Sequence, residues 1–250
     1  MLRQSATGVS VNTATLLSAL VLEQTSSQSP LFSVRDRCLR ITTFPVDLTG
    51  MRVQTVQVES GDCLCFKMSD KVCRFLQGCR GYHDVRFSLD KGTLTVVAES
   101  TCSAVQIQFV GVETAEDVFI DGHVQDVRMT VPTVEWLKVW QTVPDNGEVQ
   151  LRCHARKKTV TLTQEGDKWA AVIQGQDTTD RTAVFVCRSH IAKTTFGTCP
   201  TGSTFSVLTF MSNGVLKWGV GNVEVYLAPT SSEQTGGTNT DVYLAPIVGQ

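Results

Sequence analysis

The strongest constraint on this chain is that it repeats itself once. The segment VNTATLL, Val11–Leu17, returns as VPTVEWL, Val131–Leu137, about 120 residues later. In the first copy Leu16, Leu17, Leu20 and Val21 form an apolar stripe at helical spacing. In the second, Trp136, Leu137 and Trp140 do the same. A second pair keeps the offset. Cys63 to Cys79 reads CLCFKMSDKVCRFLQGC, and Ala183 to Cys199 reads AVFVCRSHIAKTTFGTC. Each predicts an apolar strand, a serine N-cap (Ser69, Ser189), and a short helix ending at glycine (Gly78, Gly197).

A hairpin follows each of these helices. Val85–Leu89, Asp90-Lys91-Gly92 and Thr93–Val97 correspond to Val207–Met211, Ser212-Asn213-Gly214 and Val215–Val220. Lys-Gly and Asn-Gly supply the positive φ that tight hairpin turns require. A further strand closes each unit, Val105–Phe109 and Val223–Leu227. The pattern predicts an α+β fold of two repeated units. Each packs two short helices, at about 12–23 and 70–77 or 133–142 and 189–196, on antiparallel sheet.

The boundaries that follow are a first domain over 1–109, a connecting loop over 110–126, a second domain over 127–229 and a tail over 230–250. The connector carries Glu113, Glu116, Asp117, Asp121 and Asp126 around an apolar knot, Val118-Phe119-Ile120. It reads either as an exposed crossover bearing a contact or as a plain linker. The tail from Thr230 to Thr240 is rich in Ser, Thr and Gly, and after it Val225–Pro229 (VYLAP) recurs as Val242–Pro246.

Composition narrows the function. With 42% hydrophobic and 18% charged residues over 250 positions, the chain buries a core and is not a disordered polymer. A formal net charge of −2 disfavours a protein that grips nucleic acid through one open basic patch. Any attraction to DNA must be concentrated on one surface. The nine cysteines are odd in number, form no CxxC and accompany no glycosylation sequon. They read as reduced thiols in an intracellular protein, with no metal site. Leu16–Leu22 is too short for a membrane span and follows no basic region, so neither a signal peptide nor a membrane segment is expected.

Catalytic chemistry is not legible. His83, His123, His154 and His190 are scattered, Gly219-Val220-Gly221 is a hairpin fragment, and no phosphate-binding motif occurs. Cys187 and His190 are neighbours in sequence, but a strand end and a helix start do not make a nucleophilic pair. The run His154–Lys158 reads as a solvated turn. The expectation is a non-enzyme without cofactor.

The duplicated unit, the acidic connector with its apolar knot, and the Tyr226-Leu227-Ala228-Pro229 stretch together resemble the proliferating cell nuclear antigen family. These are the DNA sliding clamps of eukaryotes, archaea and some large DNA viruses. The resemblance covers about residues 5–229. It implies a homotrimeric ring with outer sheets and inner helices. Such a ring is a polymerase processivity factor that encircles duplex DNA in the nucleus or at an intracellular site of viral DNA replication. By that analogy Lys71, Arg74, Arg80, Lys138, Arg188 and Lys193 face DNA, with His190 nearby, and attract phosphate without reading sequence. The first helix departs from the pattern, since residues 12–22 hold no Lys or Arg.

The resemblance also implies a subunit interface and a partner pocket. Ring closure needs two different complementary edges, expected at Thr93–Glu99 and Lys168–Gln174, with Val96, Val97, Trp169, Ala171 and Val172 adding apolar contact. Polymerases and other partners carrying a clamp-interaction peptide would dock against Phe44, Leu48, Val53, Val118, Ile120, Tyr226, Leu227, Ala228 and Pro229. Two alternatives stay open: a monomeric DNA-binding processivity factor of the same fold, and a structural or scaffold interaction protein.

Overall fold

In the computed structural model, two copies of one element order follow each other along the chain. The structure describes residues 8–21, 29–44, 50–58, 63–116, 126–166, 168–177, 181–197 and 203–230. It divides into two units, Met1–Val46 with Val53–Phe119, and Asp47–Arg52 with Ile120–Gln250.

The first unit runs β1 (Val9–Asn12), α1 (Thr13–Val21), β2 (Leu31–Arg35), β3 (Cys38–Thr43), β4 (Gly50–Gln57), β5 (Leu64–Lys67), α2 (Asp70–Gly78), β6 (Asp84–Asp90), β7 (Thr93–Glu99) and β8 (Ala104–Val110). One sheet has the order β1-β6-β7-β8, and β4-β3-β2-β5 forms a second run. Antiparallel register fixes which side chains go inward: Phe87 pairs with Val9 and Val96, and Phe32 with Phe66. These residues are fully buried and meet as rings, Phe32 lying 4.9 Å from Phe66 and 4.7 Å from Phe87. The helices add Leu16, Leu20, Val72 and Leu76 to the same core.

The second unit runs β9 (Val127–Pro132), α3 (Thr133–Thr142), β10 (Glu148–His154), β11 (Thr159–Gln164), β12 (Trp169–Gln174), β13 (Gln176–Asp177), β14 (Ala183–Arg188), α4 (Ser189–Gly197), β15 (Phe205–Phe210), β16 (Leu216–Val220) and β17 (Val223–Leu227). Its pairing repeats the first unit's. The run β9-β15-β16-β17 mirrors β1-β6-β7-β8, and β12-β11-β10-β14 mirrors β4-β3-β2-β5. Among the described strands only β13, paired with β9, is extra. The core is an aromatic cluster. Trp136 lies 5.4 Å from both Trp140 and Phe196 and 6.1 Å from Trp218, ring centre to ring centre.

Local signals were sound in position and sometimes wrong in mechanism. Asn12 caps α1, its Oδ1 accepting from the Thr15 N–H at 3.2 Å. Both hairpin turns form where expected, with Lys91 at φ 47°, Gly92 at φ 76° and Gly214 at φ 87°. Ser69 occupies the N-cap of α2, yet its side chain makes no capping bond. Ser189 does not cap α4 with its hydroxyl. It is buried and donates to the carbonyls of Asp145 (2.8 Å) and Gly147 (3.2 Å), tying α4 to the chain after α3. Gly78 ends α2 without a left-handed residue, since the C-cap Cys79 has φ −78°. Among the described residues no helix is long and apolar enough to cross a membrane.

The connector begins as an added strand. Thr114 bridges Phe66, the Lys67 N–H donates to Glu113 O at 3.0 Å, and the Ala115 N–H donates to Cys65 O at 3.2 Å. Lys67 and Glu113 add an ion pair at 2.5 Å. Residues 117–125 lie outside the described residues.

Candidate nucleic-acid interface

The helices set the geometry, because in each unit two of them share one core and leave one polar face outward. On α2, Val72 and Leu76 point into the core while Asp70, Lys71, Arg74 and Gln77 are exposed. On α3, Trp136, Leu137 and Trp140 are buried, and Glu135, Lys138 and Gln141 are exposed. On α4, Ile191, Ala192 and Phe196 face the core, leaving His190 and Thr194 outside. The exposed residues of α1 are uncharged, Ala14 and Thr15 among them, as the sequence foretold.

The six expected cations differ in what they have to offer. Lys138 pairs with Glu135 one turn earlier, Nζ to Oε1 at 3.0 Å. Lys193 is tethered: its Nζ reaches Asp145 Oδ1 at 2.6 Å and donates to Val143 O at 3.3 Å. It holds α4 to the chain after α3 and is only about a third exposed (34%), so it serves packing more than solvent. Lys71, Arg74, Arg80 and Arg188 are exposed and make no ion pair with any described residue. With Asp70 on the same face of α2, the surplus of positive charge is small. A surface like this attracts phosphate weakly and in a salt-dependent way.

The run Ala155–Lys158 is a tight turn between β10 and β11, with the Lys158 N–H donating to Ala155 O at 2.9 Å. Arg156, Lys157 and Lys158 are exposed there. The Cys187 thiol is buried, and burial followed by the Glu148 charge pushes its pKa up. Its Sγ faces Val149 O at 3.9 Å, which suits a packed thiol rather than a nucleophile.

The edge strands require a correction. Val96 and Val97 were expected on an open edge at β7, but β7 is paired with β6 on one side and β8 on the other. Val96 is fully buried and Val97 half-buried. The predicted closing strand of the unit, β8, folds back through Ser100–Ser103 onto the outside of β7 and takes its ladder groups. Among the described residues the outer strands of that sheet are therefore β8, beyond β7, and β1 at the other end. On β8, Val105, Ile107 and Phe109 lean on the core, while Ala104, Gln106, Gln108 and Val110 are exposed, Val110 at 84%. In the second unit the expected edge is where it was placed. β12 pairs only with β11 among the described strands, with Trp169 and Ala171 half-buried and Val172 61% exposed.

The partner-pocket residues are partly visible. Leu48, Val118 and Ile120 lie outside the described residues. Val53 and Leu227 are buried in strands, Phe44 and Ala228 are half-buried, and Pro229 is exposed. Tyr226 is 4% exposed and its hydroxyl donates to Glu224 Oε2 at 2.7 Å.

The fold has a counterpart among solved structures. The DNA polymerase III beta subunit of Thermotoga maritima superposes on this chain with a TM-score of 0.64 at 15% identity, over 91% of this chain and 65% of that one. The chain has the sliding-clamp fold. At this identity the likeness concerns the fold, and this chain spans just under two-thirds of the other's length. No family model matches the sequence, and no curated protein matches it.

Within the clamp fold, reasoning from sequence found the helices. It missed the outer position of β8, the tether role of Lys193 and the pairing of the connector with β5. Only the Lys193 tether had a local clue, Asp145 in the loop that follows α3.

Proposed function

We propose that this chain is a DNA polymerase processivity factor: a clamp subunit that closes into a homotrimeric ring around duplex DNA and tethers replication and repair proteins by their clamp-interaction peptides. The observation that carries this reading is the clamp fold over 91% of the chain. It is supported by two strand edges with exposed valines, β8 and β12, one in each unit. Such edges join head to tail, and joining of that kind closes a ring rather than a twofold dimer. The near-neutral helix faces fit retention by enclosure, in which topology and not contact affinity keeps the protein on DNA.

The test is native mass together with topology. A species at three times 27.3 kDa, retained on closed circular DNA and lost when the circle is linearised, is expected. A monomer retained equally on both forms would overturn the ring. The outward cations predict a second result. Each phosphate contact contributes about 0.9 to the slope of log affinity against log salt, so K71E/R74E should flatten that slope. Titration of DNA binding at several salt concentrations checks it.

In the partner pocket, Asp at Val118 and Ile120 is expected to abolish binding of a clamp-interaction peptide without changing the oligomer's mass. Isothermal titration calorimetry beside size exclusion reads both outcomes.

A further inference from the structure

The place filled by β17 is a pairing slot with a second matching segment in the same chain. β17 lies antiparallel to β16, with Lys217 opposite Tyr226 and Trp218 opposite Val225. Inward, Val223, Val225 and Leu227 are at most 1% exposed and belong to the aromatic core of the second unit. Outward, Glu224 accepts from the Tyr226 hydroxyl and pairs with Lys217, whose ammonium sits 5.5 Å from the centre of the Tyr226 ring. The slot thus selects three apolar residues alternating with a carboxylate and a tyrosine.

Seventeen residues further on, the chain offers that selection again. Residues 222–229 read NVEVYLAP and residues 239–246 read NTDVYLAP. Six of eight positions are identical, and the other two differ in one methylene or one hydroxyl. Asp241 keeps the carboxylate of Glu224, and Thr240 keeps the branched shape of Val223 but brings a hydroxyl to a fully buried position, so the second copy fits less well than the first. Val242, Tyr243 and Leu244 match Val225, Tyr226 and Leu227 without change. A flexible linker has no need of a core-filling octapeptide.

We propose that residues 239–246 exchange with residues 222–229 for the β17 slot, within the same molecule. In the exchanged form the connection from β16 grows from two residues, Gly221 and Asn222, to residues 221–239. That is about three doublings of loop length, which disfavours the exchanged form by roughly 20- to 30-fold. Burial of the Thr240 hydroxyl lowers it further, so it is a minor state of about one per cent. Ala245 and Pro246 then stand where Ala228 and Pro229 stood, so the side chains at the end of the slot are the same in both forms.

A double-variant cycle in the full chain tests this, read by urea unfolding. Leu244→Asp alone is expected to leave the unfolding midpoint unchanged. With an intact second copy, Leu227→Asp lowers the ratio of folded to unfolded chains by on the order of a hundredfold, because the exchanged form, with its longer loop and buried Thr240 hydroxyl, sets the ceiling. With both copies disabled, Leu227→Asp with Leu244→Asp loses on the order of a thousandfold or does not fold, as for a charge forced into a core. Leu227→Ala, alone and with Leu244→Asp, repeats the cycle with a milder lesion. Equal losses for the single and double variants would overturn the exchange. Rescue of the double variant by added unmodified chain would move the exchange between molecules and overturn the assignment within one chain. Neither outcome bears on the ring, since the readout involves no DNA and no partner.

Discussion

Lysine at both Val110 and Val172 is expected to convert the proposed ring to a 27.3 kDa monomer without altering its circular dichroism. The two valines sit on the outer strands β8 and β12 and are 84% and 61% exposed, so neither supports a core within its own unit. Strand edges join through their open backbone groups, and the side chains flanking the seam decide whether it forms. A lysine there keeps its hydration only if the seam stays open. The expected loss is about a hundredfold in association, equivalent to roughly 2.7 kcal/mol. Analytical ultracentrifugation over a range of concentrations measures it. An assembly of unchanged mass would mean that the ring, if formed, closes through other surfaces.

Trp136→Ala should be the most damaging single core substitution. Trp136 is fully buried and touches Trp140, Phe196 and Trp218. Its indole N–H finds no acceptor among the described residues, so the change removes no hydrogen bond. What it leaves is a cavity among rings that cannot collapse inward together. A loss of about 3–5 kcal/mol is expected for the second unit, with Trp136→Phe recovering part of it. Urea unfolding resolved by unit checks the value. The first unit has its own phenylalanine core and should unfold at its usual midpoint.

The sequence announced the repeat because a duplicated core needs duplicated apolar spacing. Leu16 and Leu20 are buried in one copy, and Trp136 and Trp140 fill the matching positions in the other. Turns were legible because Lys91-Gly92 and Asn213-Gly214 leave few other backbone choices. Strand order was not, because it depends on which ladders pair at long range. Nothing local in Thr93–Glu99 says that Ala104–Val110 will cover it. Nor does an N-terminal serine say whether its hydroxyl will cap a helix or reach back to Asp145 and Gly147. Lys71, Arg74 and Lys138 are exposed on helices, Arg80 and Arg188 flank them, and Lys193 shows that a cation counted for solvent can be occupied by a neighbouring loop.

The aromatic cluster has an optical consequence. All four tryptophans of the chain, Trp136, Trp140, Trp169 and Trp218, lie in the second unit. Indole fluorescence therefore reports on that half alone, while tyrosine-excited emission and amide absorption also see the other. The chain carries a natural spectroscopic label that distinguishes the melting of one half from the other without any added probe.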